Sequence, residues 1–135
     1  MNTLYENVSK TLFEGFKFII HEHEPRSGSK HYDIRFMDLK NDKLLHSFAA
    51  PSDFLTNPDK AVIYKTRDHD PRWLTLKSYR LKVVDEGTLD YKMYRPNGYF
   101  ELVFNGSILN GTYRLMKLKD RRRDDVWLLI KKNKK

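Results

Sequence analysis

Residues 16–35, FKFIIHEHEPRSGSKHYDIR, hold three of the chain's five histidines. His21 and His23 alternate with Phe18, Ile20 and Glu22, and His31, Asp33 and Arg35 alternate with Tyr32 and Ile34. Extended backbone sends successive side chains to opposite faces, so this two-residue period separates a polar set from a hydrophobic one. Between the two runs, residues 24–30 contain Pro25, Ser27, Gly28 and Ser29, a composition that predicts a turn and hence an antiparallel hairpin. That hairpin brings His21 or His23 close to His31 and Asp33. Two neutral imidazoles and one carboxylate, with positions left for water and substrate, suit a catalytic divalent transition metal, and nitrogen ligands argue against a pure magnesium or calcium site. Arg35 adds a forked cation on Asp33's face, a group able to hold phosphate through two hydrogen bonds. Histidines on a half-exposed strand are commonly plain surface residues; the convergence of HEH, HYD and Arg35 on one hairpin face is what points to a site.

A further histidine, His69, ends a predicted strand between Asp68 and Asp70. Flanking carboxylates can hold an imidazole in one tautomer and move its pKa, which suits a phosphate contact or a proton donor. His46 shares its strand face with Leu44 and Phe48 and reads instead as a packed or rim histidine.

The elements that must position these groups are short strands. Alternating runs at 16–23, 31–37, 43–50, 60–67, 73–77, 79–84, 99–104, 112–119 and 126–131 are broken by turn formers, among them Asp85-Glu86-Gly87, Arg95-Pro96-Asn97-Gly98, Asn105-Gly106 and Asn110-Gly111. Helical spacing occurs only near the start, at Leu4, Val8, Leu12 and Phe13. The expected fold is therefore all-β: a closed β-barrel of about eight short antiparallel strands at 16–132, preceded by a short N-terminal helix or arm at 1–15 and followed by a basic tail at 133–135. The ligands are expected on a concave, polar side of the sheet.

At 135 residues the chain suffices for one domain with a single core. It has no cysteine, which excludes disulfides and thiolate zinc sites and suits a reducing compartment. No apolar run approaches ~18 residues and no secretory pattern opens the chain, so a soluble, cytoplasmic protein without a membrane partner is expected. Lysine and arginine total 26 against 18 acidic residues, a net charge of +8 that favours polyanionic partners, nucleic acid first among them.

The ordered motifs resemble those of the 3′-phosphoesterase domain of bacterial DNA ligase D and its stand-alone archaeal and bacterial relatives. The likeness is carried by FIIHEH at 18–23, PRSGSKHYDIR at 25–35, SFAAP at 47–51, RDHDP at 67–71 and VWLLIKK at 126–132, with VVDEGTL at 83–89 and LNGTYRLMKLK at 109–119 also fitting. It spans about residues 16–132. The resemblance implies a compact β-barrel and manganese-dependent trimming of DNA or RNA-DNA 3′ ends in break repair by end joining, with cobalt or zinc as alternative metals. Family members remove a 3′-terminal ribonucleoside to leave a 3′-phosphate and then hydrolyse that phosphate. Carried over by position, His23, His31 and Asp33 would bind the metal, Arg35 and His69 would contact the scissile phosphate, and Arg26 would be the loop arginine. His21 stands where the family has another polar residue. A monomer is expected, with a separate DNA ligase or polymerase as protein partner. The loop at 24–30 is longer than the family's, Asp70 is inserted before Pro71, and the family's glycine-rich stretch has no counterpart at 73–84. The alternative reading is a catalytically weak or inactive barrel that binds nucleic-acid ends. Loss of His31 or Asp33 is expected to abolish turnover and spare the fold.

Overall fold

Eight strands form where hydrophobes alternate with polar residues: β1 (Phe16–His23), β2 (His31–Met37), β3 (Leu45–Ala50), β4 (Lys60–His69), β5 (Leu81–Arg95), β6 (Tyr99–Asn105), β7 (Asn110–Lys117) and β8 (Val126–Lys131). The computed structural model describes residues 16–132, so the N-terminal helix or arm and the basic tail lie outside the described residues. All strand pairs are antiparallel, in the order β1-β2-β3-β4-β8-β7-β6-β5, and β5 pairs back onto β1 to close the ring. Closure leaves no long unpaired edge to recruit another chain.

The ring is filled by one side chain of each alternating pair. Phe18, Ile20, Ile34, Phe36, Phe48, Leu102, Phe104, Leu115 and Leu129 point inward and are almost fully buried, each such side chain contributing roughly 1.5–3 kcal/mol by leaving water. Phe36 stacks on Phe48 and meets Phe100 edge-on. His46 packs among these rings, with Nε2 2.6 Å from Asp38 Oδ1, as a packed rim histidine should.

Three local expectations change. Residues 73–77 form no strand: Trp73 and Leu74 end a 3-10 turn, Pro71–Leu74, which the Asp70 carboxylate caps by accepting from the Arg72 N–H and in which proline occupies the first position. Asp85-Glu86-Gly87 is no turn, since β5 runs straight through it for 15 residues. A bulge replaces the turn, with Ile20 facing Asp85 and His21 facing Val83. A Cβ on Gly87 would stand 2.2 Å from the Asn105 carbonyl oxygen, so only glycine permits this close approach. Finally, Asn105 and Asn110 pair with each other, so the two Asn-Gly signals bracket one loop, residues 106–109. The buried Asp85 carboxylate anchors that loop by accepting from the backbone N–H groups of Ser107, Ile108 and Leu109 at 2.8, 2.9 and 2.9 Å. Among the described residues no helix is long and apolar enough to cross a membrane.

Candidate metal centre

The β1–β2 register decides which side chains meet. Ile20 faces Ile34, and both enter the core; His21 faces Asp33 and His23 faces His31, and all four point away from it. β3 extends the outer face, with Arg35 opposite Ser47 and Asp33 opposite Ala49. The cluster therefore sits on the outside of the ring rather than on a concave side of the sheet, because closure turns the hydrophobic faces inward.

His23 Nδ1 lies 2.9 Å from Asp33 Oδ2, and His31 Nε2 lies 3.0 Å from Asp33 Oδ1. One donor atom from each of His23, His31 and Asp33 falls within 4.8 Å of the others. Donors that share one ion at about 2.1 Å are themselves about 3–4 Å apart, so small rotations suffice to enclose a cation. His31 carries a further sign of fit. Its Nδ1 lies 3.3 Å from the Ser29 carbonyl, which can only accept. A backbone carbonyl behind the ring is the usual way a metal-binding imidazole is oriented. Both histidines keep 29% of their side chains exposed, while Asp33 is nearly buried at 8%.

His21, left open by sequence as an alternative ligand, is elsewhere engaged. It is fully buried, with Nδ1 3.3 Å from an Arg35 terminal nitrogen. Burial, and then the Arg35 charge, hold its imidazole below the ordinary pKa. Arg35 in turn sits 3.4 Å from Asp33 Oδ2, with only 5% of its side chain exposed. Trp73 covers it, the guanidinium carbon lying 4.4 Å from the ring centroid. Arg35 Nε and His21 Nε2 are buried without a hydrogen-bond partner among the described residues.

His69 packs edge-on against Trp73, with ring centroids 4.6 Å apart. Its partner is Ser47, whose Oγ is 2.8 Å from His69 Nδ1. The flanking carboxylates are occupied elsewhere: Asp68 pairs with Lys65, and Asp70 pairs with Arg72, which holds its carboxyl down to about 2. Burial first, and then the Arg35 and Arg67 charges, lower the His69 pKa and so disfavour the charged ring. Arg26 lies on the exposed 24–30 loop without an ion pair among the described residues. Sequence reasoning missed Ser47 as a partner and Trp73 as a cover. Ser47 was detectable from its place opposite Phe48 in an alternating run; nothing local indicates Trp73's contact with Arg35.

No protein-family model matches the chain, and no curated protein matches it either.

Proposed function

We propose that the chain is a hydrolase of phosphoester bonds at the 3′ ends of DNA or RNA-DNA strands, dependent on a divalent transition metal such as manganese and acting in break repair. The observation that carries this reading is the convergence of His23, His31 and Asp33 on one exposed point of a basic protein, with the Arg35 charge directly behind it. These three residues would hold the metal, which when bound supplies Lewis-acid stabilisation of charge on a phosphate oxygen. The remaining groups belong to the chain. Asp33 is aimed by Arg35, and the Ser29 carbonyl stands behind the His31 ring. His69, its charged form disfavoured, suits donation of a hydrogen bond to a phosphate oxygen better than donation of a proton, if Ser47 donates to its Nδ1 and leaves the N–H at Nε2. Arg26 and the wider positive charge would attract strand phosphates without reading sequence.

The burial of Arg35 favours a second reading, a barrel that binds ends with little turnover, because Trp73 packs on the guanidinium and only 5% of that side chain is exposed. A primer-template carrying one 3′-terminal ribonucleotide separates the two. The hydrolase shortens it with manganese, not with chelator, and loses the activity on His31→Ala. An unchanged primer across manganese, cobalt and zinc overturns the hydrolase and leaves the end-binding module.

A further inference from the structure

Beyond the metal ligands and Arg35, one surface feature beside the cluster has no role in the fold. Among the described residues, six large hydrophobic side chains are exposed, and three of them, Leu76, Tyr79 and Val83, fall in residues 76–83. Tyr79 stands apart at 87% exposed, against 38% and 44% for the other two. Nothing in the core gains from such a ring, yet it is backed: the Arg80 guanidinium lies 4.8 Å from its centroid. Its backbone surroundings are also fixed. Ser78 Oγ accepts from the Arg80 N–H at 3.2 Å, and the Ser78 carbonyl accepts from the Leu81 N–H at 3.0 Å.

Its location gives the ring a use. The Arg80 carbonyl accepts from the N–H of Glu24, the residue after His23, at 3.0 Å, and Leu81 is the strand partner of His23. Tyr79 is two residues from Leu81, at most about 7 Å of chain. Leu81 is about 5 Å across the ladder from His23, so at most about 12 Å separates the backbones of Tyr79, a flat, water-exposed aromatic, and His23. Charge agrees with a nucleotide as occupant: residues 71–84 contain no carboxylate, and while Arg72 is paired with Asp70, Lys77, Arg80 and Lys82 have no ion pair among the described residues.

We propose that Tyr79, stiffened by Arg80, is the platform on which the base of the 3′-terminal nucleotide stacks while its phosphoester lies at His23, His31 and Asp33. The proposal rests on reading that cluster as a site for a 3′-terminal phosphoester. Stacking on one face tolerates any base, because every base has a π-face, so the platform selects for the presence of a terminal base and not for its identity. Arg80 serves both the ring and the strand, its guanidinium adding positive charge beside the terminal phosphates.

The test uses single-stranded and primer-template DNA with a 5′ dye and 2-aminopurine at the 3′ terminus, in chelator, so that turnover plays no part. Anisotropy reports binding, and 2-aminopurine emission reports stacking. Tyr79→Ala is expected to weaken binding about 5- to 150-fold, the equivalent of ~1–3 kcal/mol for one stacked base, and to abolish the emission change, while Tyr79→Phe keeps both. An abasic 3′ terminus is expected to bind wild type and Tyr79→Ala alike. Equal affinity and equal emission change for wild type and Tyr79→Ala overturn the platform, as does failure of wild type to prefer a terminal base over an abasic end. The hydrolase reading is judged separately: stacking without manganese-dependent cleavage keeps the platform and removes the hydrolase, and cleavage indifferent to Tyr79 does the reverse.

Discussion

Replacing Asp33 by alanine tests how the site is built. A polar ligand pointing out of a strand ordinarily adds little to stability, and on that basis the fold was expected to survive this change intact. Burial of Arg35 alters the expectation. The guanidinium is 5% exposed under Trp73, Asp33 at 3.4 Å is its only carboxylate among the described residues, and its Nε has no partner. Removing one partner of a buried pair leaves an uncompensated charge and costs about 3–5 kcal/mol. For a protein of this size, with a urea dependence of about 2 kcal/mol per molar, Asp33→Ala should lower the unfolding midpoint by about 2 M. Asp33→Ala with Arg35→Leu should recover part of that loss, since no buried charge then remains. Manganese at a hundred times its dissociation constant should stabilise the wild type by about 2.7 kcal/mol and the variant not at all. A shift below about 1 kcal/mol for Asp33→Ala, or a double variant no more stable than the single one, would refute the account of Arg35 as a buried cation held by Asp33.

Two further outcomes follow from other groups. Asp85→Ala strips the acceptor from the N–H groups of Ser107, Ile108 and Leu109; a loss of about 3 kcal/mol in urea unfolding is expected, with amide exchange accelerated first at those three residues, and unchanged exchange there would contradict the anchoring role. His69 should titrate by NMR below 6.5, because burial first and then Arg35 disfavour its charged form. The neutral ring's contribution to stability is then complete above pH 6.5 and declines as pH falls toward the lowered folded value; Arg35→Leu should raise the midpoint, and a titration at or above 6.5 in the wild type would contradict the placement.

Much of this arrangement could be read from residue order. The alternation in FIIHEH and HYDIR sorts ligands from core by strand geometry alone, and the intervening Pro-Arg-Ser-Gly-Ser dictates a reversal, so the hairpin and its outer cluster were legible. Choosing His23 over His21 was not, because both share a face and only the pairing of His23 with His31 separates them. The burial of His21 and Arg35 was likewise hidden. Arg35 is covered by Trp73, more than thirty residues further along, in a 3-10 turn with no periodic signal. Carboxylates next to His69 in sequence suggested its partners, yet strand alternation and the arginine and lysine beside them turn Asp68 and Asp70 to other cations, and Ser47 arrives through the sheet. Asp85 was misread as part of a turn because Asp-Glu-Gly has turn composition; it is tertiary demand from the 106–109 backbone that keeps it extended.

The register between β1 and β2 serves folding and chemistry together. A one-residue slip within either strand would swing imidazoles into the hydrophobic interior and Phe18, Ile20 or Ile34 out into water. Insertions within residues 24–30 do neither, since the pairs from Phe18 with Phe36 to His23 with His31 close before the loop begins. Length variation in this protein is therefore tolerated at the hairpin's tip and forbidden along its arms.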